Sequence, residues 1–393
     1  MTRKIPSLLA ASVLTVLLAA CGGGGGGQSA SPQPTTPPPA AGVIGDGRLG
    51  ELVEWARASE DVPAMALVLV QGGQIAEFAA VGRRSMSENT RVTTNDRWHL
   101  GSLTKAMTAT LAGVLVDQSV IGWQTTPLDV WPGLDQSIHF GFRDITLKQL
   151  LSHTSGMTNA GSVPQAFLDN APGTLMEKRR QWAAQLLAAA PALPAGLLNY
   201  SNWGYVVAGA MLETVTGTPY ETLLEQQVLG PLFMDDTGFG APGTPGQTDE
   251  PWGHWDRGNS FEPISPGPGA DNPQVLGPAG TVHSTLSDYA QFMLAHIAGA
   301  RGIPGLVTVQ TFQTLHTPVV LGSALGWGVS PGDSWAQGNV FSHDGSNVRW
   351  YAAVRLAPAV DVGALIVTNA AGRAEEAIDL LGDLLIERFQ ASQ

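Results

Sequence analysis

Two pairs of strand-like runs, one near each end of the chain, bracket a long section that reads as helical. This limits the fold more than any other feature of the 393 residues. Residues 64–70 and 74–81 are apolar-rich runs separated by Gln71-Gly72-Gly73, a good hairpin turn. They follow a helical repeat in 47–59 through Leu49, Leu52, Val53 and Trp55. At the other end, 347–356 and 362–368 read as strands separated by Ala357-Pro358, and 374–389 as a closing amphipathic helix. A helix with two strands at one end and two strands with a helix at the other predict one antiparallel sheet assembled from both termini. The expected class is α+β, an α/β sandwich, with a sheet part at about 44–98 and 300–390 and a mostly helical inserted part at about 99–299.

Local signals place helices in the insertion. Thr146-Leu147-Lys148-Gln149 and Thr218-Pro219-Tyr220-Glu221 both match a capping box, the second with proline at the first helical position. Thr285 precedes a helical run, 286–296. Residues 236–280 are dense in Gly and Pro and are expected to be irregular, with Trp252, His254 and Trp255 lining a cleft.

Arg3 and Lys4 precede an apolar run, 8–20, too short to span a bilayer but of signal-peptide length. Its end, Leu18-Ala19-Ala20-Cys21, resembles the bacterial lipobox, which implies a signal peptide at 1–20 and lipid attachment at Cys21. Cys21 is the only cysteine, so the mature body can hold no internal disulfide. The Gly run and Ser/Pro/Thr tract that follow read as a flexible, then extended tether over 21–43. In the lipoproteins that the lipobox resembles, a residue other than Asp after the cysteine implies outer-membrane sorting, and here it is Gly22. The expected location is therefore the cell envelope, anchored through Cys21 to a membrane. A net charge of −13 with scattered basic residues argues against nucleic acid as a partner.

Ser102-Leu103-Thr104-Lys105 matches S-x-x-K at the head of an apolar helix. One helical turn separates the two side chains, so hydroxyl and amine share a face. The helix start supplies N–H groups that favour a serine alkoxide or an oxyanion. With few lysines in the chain an accidental match is expected about a quarter of the time, so partners elsewhere decide its meaning. Tyr200-Ser201-Asn202 offers a phenol able to relay a proton and an amide able to hold a substrate. His343-Asp344-Gly345-Ser346 precedes the expected strand 347–356, where Gly345 permits close backbone approach and Ser346 an N–H bond to substrate.

In order, these three motifs resemble those of the serine β-lactamase and penicillin-binding protein superfamily, in particular its class C β-lactamase, D-alanyl-D-alanine carboxypeptidase and esterase branch. Leu150-Leu151-Ser152-His153-Thr154-Ser155-Gly156-Met157 and Gly277-Pro278-Ala279-Gly280 ahead of Ser284, Thr285 and Asp288 add to the similarity, which extends over about 44–389. The resemblance implies Ser102 as acylated nucleophile, Lys105 as proton acceptor and Tyr200 as partner in acid/base work. It implies Asn202 as a positioning group and the N–H groups of Ser102 and Ser346 as the oxyanion hole, with no metal or organic cofactor. Lysine is usual in β-lactamases where this chain has His343. A mostly neutral imidazole there puts strong penicillin hydrolysis in doubt and favours small esters or D-amino-acid peptides. The competing readings are a catalytically silent, peptidoglycan-binding envelope lipoprotein and a true class C-like β-lactamase.

Other candidates carry less. His153, in its turn, is expected to be a structural, hydrogen-bonded histidine. Arg349 either meets a substrate carboxylate or is an exposed strand cation, the commoner case. Residues 238–243 match G-x-G-x-x-G without a preceding strand, the histidines lack metal-ligand spacing, and no G-x-S-x-G elbow exists.

Overall fold

The computed structural model describes residues 36–393. Its main sheet has six antiparallel strands, labelled here β1 (Ala64–Gln71), β2 (Gln74–Gly82), β3 (Gly328–Pro331), β4 (Asn339–Ser346), β5 (Tyr351–Ala357) and β6 (Val362–Thr368), in the order β2-β1-β6-β5-β4-β3. The pairing of β1 with β6, from Met65 opposite Thr368 to Gln71 opposite Val362, joins the two ends of the body at the sheet centre. Gly72 and Gly73 both have positive φ (62° and 75°), the backbone a two-residue hairpin turn needs.

Strand alternation divides the core between the sheet faces. Met65, Leu67 and Leu69 pack with the helices Leu49–Ser59 and Ala374–Ala391. Ala66, Val68 and Val70 face the larger core that contains the helices Thr104–Asp117, Asn202–Thr216 and Leu286–Ala300. The last of these, assigned from sequence to the insertion, lies against the sheet. A Cβ on Gly363 would come within 3.0 Å of Met293 Cε.

The structure corrects several local expectations. The end of the expected tether, 36–43, lies on the body: Trp55 Nε1 donates to Thr36 O (3.1 Å) and the buried Arg388 donates to Ala41 O (2.7 Å). Cys21 and the rest of the tether lie outside the described residues. The Thr146 capping box forms, and Thr285 caps its helix. The Thr218 box does not: the helix Tyr220–Leu224 has no side-chain cap, because Glu221 accepts from the buried Arg179 instead (2.7 Å). The expected strand 347–356 begins only at Tyr351. Residues 347–350 form a turn with Val348 at φ 65°, and the His343–Ser346 motif is itself the end of β4. The supposedly irregular 236–280 segment contains a hairpin, Gly253–Asp256 with Phe261–Ile264.

Burial pushes six of the eight histidines below the ordinary imidazole range, His254, His283 and His343 to about 4, His316 to about 3, and His153 and His296 well below. An unfolded chain takes up these protons from about pH 6.5 downward, while the folded protein does not until about pH 4. Stability is therefore retained above pH 6.5 and lost as pH falls towards 4. Thermal melts across this range should show a progressive drop in midpoint, and a flat profile would contradict the histidine burial.

Candidate active site

Ser102 lies in a 3-10 turn, Gly101–Leu103, that runs directly into the helix Thr104–Asp117. Gly101 has φ 52°, a left-handed conformation that suits glycine. The turn is pinned from both sides: Leu100 N–H donates to Val282 O (2.9 Å), and Thr104 Oγ1 donates to Gly101 O (2.7 Å) while accepting from Val282 N–H (3.2 Å).

Lys105 is fully buried. Its Nζ donates to Ser102 Oγ (2.9 Å) and to Ala279 O (2.7 Å), and lies 5.0 and 5.7 Å from the ring centroids of Tyr200 and Tyr205. The Ala279 carbonyl comes from the Gly277-Pro278-Ala279-Gly280 motif, which forms one short helix. Sequence reading singled out that motif without its task. Neighbouring Pro278 O accepts from Thr108 Oγ1 (2.7 Å), tying the segment to the serine-bearing helix.

Tyr200 and Asn202 are placed by Ser201 between them. Ser201 caps the helix Asn202–Thr216, its Oγ accepting from the N–H groups of Trp203 and Gly204 (3.1 and 3.2 Å) and donating to Thr158 O (2.7 Å). With the middle residue occupied in capping, Tyr200 and Asn202 both line the cleft. The Tyr200 ring packs on His153 (centroids 4.3 Å apart). His153 is held as expected, its Nδ1 accepting from Ser201 N–H (3.1 Å), but it also forms part of the cleft wall.

The fourth wall is the open edge of β4. Strand β3 pairs with β4 only through Asn339–Ser342, leaving His343–Ser346 without a strand on that side. Gly345 packs on the nucleophile turn so closely that a Cβ would lie 2.1 Å from Leu100 O and 2.7 Å from Ser102 N, and a Cβ on Gly101 would lie 2.4 Å from Ser346 N. The Ser102 and Ser346 N–H groups are thus brought to one place. His343 lines the cleft with its Nδ1 2.8 Å from Asp344 O. Burial, then the nearby Lys105 charge, holds it at about 4, so its imidazole is neutral at pH 7. Asp344 is paired with Arg355 (2.6 Å).

The cleft encloses about 620 Å³ and brings Ser102, Tyr200, Asn202, His343, Gly345 and Ser346 together. Of the three aromatic candidates in 236–280, only Trp255 lines it. His254 is buried against Asn369 O (2.8 Å), and Trp252 Nε1 donates to Gln247 O (2.7 Å). Arg349 is half-buried, with its guanidinium 4.7 Å from the Trp255 centroid. Trp327, with Ser323 and Gly328, adds wall that no sequence signal marked. Among the described residues no group of three or more His, Cys, Asp or Glu could hold a metal.

A serine hydroxyl against a buried lysine amine, on a helix-flanked antiparallel sheet, defines a serine hydrolase of the β-lactamase and penicillin-binding protein type. The family model described as Beta-lactamase matches residues 49–386, and the chain belongs to that family. It is 25% identical over 353 residues to "Penicillin-binding protein 4" of Amycolatopsis lactamdurans, covering 84% of this chain and 87% of that one. It is 29% identical over 177 residues to "D-alanyl-D-alanine-carboxypeptidase/endopeptidase AmpH" of Escherichia coli K12, covering 44% of this chain and 45% of that one. The octameric penicillin-binding protein homologue from Pyrococcus abyssi shares the fold, with a TM-score of 0.69 at 21% identity over 87% of this chain and 78% of that one.

The contact at Gly345 leaves no room for a methyl group. Gly345→Ala should push β4 off the nucleophile turn and lower kcat/KM by about 10²-fold or more, the order seen when an oxyanion donor is lost. Ester hydrolysis by the folded variant measures this, and near-normal activity would show that the close approach is dispensable.

Proposed function

We propose that this chain is an acyl-enzyme serine hydrolase that cleaves small esters or D-amino-acid amide and peptide bonds, with weak β-lactam hydrolysis. The observation that carries the proposal is the 2.9 Å contact between Lys105 Nζ and Ser102 Oγ in a buried pocket facing the open β4 edge.

In this mechanism Ser102 Oγ attacks the substrate carbonyl as its proton passes to a neutral Lys105 amine. The carbonyl oxygen becomes an oxyanion and is held by the N–H groups of Ser102 and Ser346. Tyr200, beside Lys105, gives its phenol proton to the departing alcohol or amine and takes a proton back from the Lys105 ammonium, which leaves the acyl group on Ser102 and the amine neutral again. Water then attacks the ester, loses its proton to the same base, and the acid departs as Ser102 regains its hydrogen. Asn202 positions the substrate.

His343 sets the substrate preference. A lysine at that place carries a permanent charge for the carboxylate of a β-lactam, whereas a neutral imidazole is only a hydrogen-bonding group. The similarity to a protein named as a D-alanyl-D-alanine carboxypeptidase/endopeptidase supports the peptide arm of the reading.

Intact mass after exposure to an alkyl fluorophosphonate should show one adduct on Ser102, absent in Lys105→Ala. Rates for p-nitrophenyl butyrate and a D-Ala-D-Ala peptide should exceed that for nitrocefin. No adduct would favour a binding protein, an active Lys105→Ala would remove lysine from the chemistry, and fast nitrocefin turnover would make the chain a class C-like β-lactamase.

We further propose that the protein is lipid-anchored at Cys21 in the cell envelope, at the outer membrane. The reading rests on Leu18-Ala19-Ala20-Cys21 and Gly22. Labelled palmitate should enter the wild type and not Cys21→Ala, and labelling of both or neither would defeat the anchor.

A further inference from the structure

The two N–H groups read above as the oxyanion hole belong to parts of the chain far apart in sequence. Ser102 N–H sits on the turn that opens the helical section, and Ser346 N–H on the edge of the sheet. An oxyanion site works only if its donors are held within roughly half an ångström of their productive positions. The Gly101 and Gly345 contacts set how closely the two segments can approach, because repulsion stops them there. Repulsion does not prevent them from drifting apart. Some attraction must supply the other limit.

Three buried side chains lie in contact between the two segments. Gly101 N–H donates to His99 Nδ1 (3.1 Å), and His99 Nε2 lies 2.7 Å from Asp271 Oδ1. Asn347 Nδ2 donates to that same Asp271 oxygen (3.1 Å), while Asn347 Oδ1 accepts from the N–H groups of Arg349 and Trp350 (3.3 and 3.2 Å). Because Gly101 N–H needs a lone pair on Nδ1, the ring proton of His99 sits on Nε2, which meets the carboxylate in a close polar contact outside hydrogen-bond geometry. The His99 ring also stacks on Trp350, with centroids 5.5 Å apart. A continuous chain of polar contacts thus runs from the residue before Ser102 to the turn directly after Ser346.

The next residue extends the tie to the lysine. Asn272 Nδ2 donates to Gly280 O (2.8 Å), beside the Ala279 carbonyl that accepts from Lys105. The arrangement carries a cost that a purely structural contact would avoid: Asp271 Oδ2 is buried without a hydrogen-bond partner among the described residues. Well-packed apolar residues hold segments together without leaving a carboxylate oxygen unsatisfied. A polar link adds direction and length, which apolar packing specifies poorly.

We propose that His99, Asp271 and Asn347 are positioning residues, a relay that fixes the spacing between the Ser102 and Ser346 N–H groups and so tunes stabilisation of the oxyanion. The proposal rests on the acyl-enzyme reading given above. His99 and Asp271 do not line the cleft, and Asn347, which borders it, turns its amide to Asp271 and its oxygen to the N–H groups of Arg349 and Trp350, so loss of the relay acts through the donors it places. That weakens binding of the transition state while leaving ground-state binding nearly unchanged.

The test compares Asn347→Ala, Asp271→Ala and Asp271→Asn with the wild type. It measures kcat and KM for p-nitrophenyl butyrate, affinity for a boronic acid that forms a tetrahedral adduct on the serine, and the thermal midpoint. Asn347→Ala and Asp271→Ala should each lower kcat by about 10²-fold, with KM changed by less than about threefold and boronic acid affinity reduced by the same factor as kcat/KM. Asp271→Asn keeps an acceptor for both His99 and Asn347, and should restore at least about tenfold of the loss. An unchanged kcat, a loss confined to KM, or a loss that tracks only the folded fraction would overturn the relay. If Asp271→Ala does not fold, Asn347→Ala decides alone, since it leaves the His99–Asp271 pair intact. A wild type that forms no acyl-enzyme defeats the hydrolase reading and the relay with it, whereas an active wild type with fully active variants defeats the relay only.

Discussion

A buried amine organises this molecule. Lys105 has no exposed surface, and its nitrogen is surrounded by the Ser102 hydroxyl, the Ala279 carbonyl and the faces of Tyr200 and Tyr205. Withdrawing an amine from water is costly unless it gains polar contacts, and these arise from separate pieces of chain. The serine turn, the 277–280 helix and the segment around Tyr200 must all be in place before the lysine is satisfied. The same burial keeps His153 and His343 neutral, with the Lys105 charge acting in the same direction. The pocket therefore gathers three basic side chains without having to hold three positive charges.

The sheet contributes an edge and a distance. β3 pairs with β4 only as far as Ser342, so His343–Ser346 at the end of β4 have no strand on that side and form part of the cleft wall. An exposed strand edge is a hazard for most proteins because it invites another strand. Here the edge forms part of a cleft wall, beside Tyr200 and Trp327. Glycine is required on both sides of the closest contact, at 101 and 345, because any side chain would strike backbone. The gap between nucleophile and strand is thus set by backbone thickness, with the His99, Asp271 and Asn347 contacts acting across it.

Local chemistry made much of the molecule legible in advance. The β1–β2 hairpin announced itself through Gly72-Gly73, and Thr146 and Thr285 cap helices where their sequences place them. Where sequence reading failed, a distant residue had intervened. Glu221 should have completed a capping box but pairs with Arg179, which is buried and takes the carboxylate for itself. Residues 347–350 should have continued a strand, but Asn347 folds its side chain over the next N–H groups to make a turn, steadied by Asp271. His99, Asp271 and Trp327 carried no readable pattern, since nothing near them in sequence explains their placement.

Sequence by itself determined the β1–β2 hairpin, the helix starts at Thr146 and Thr285, and that Ser102 and Lys105 share a face, because each of these signals depends on near neighbours in the chain alone. It also marked Tyr200, Asn202 and His343 as chemically able groups, without distances between them. Tertiary structure alone decided that the lysine is buried, that Ala279 supplies its second acceptor, that His343 is neutral, and that two glycines bring two N–H groups together. Each of these depends on desolvation or on contact between segments separated by more than a hundred residues, which only the packed core brings within reach.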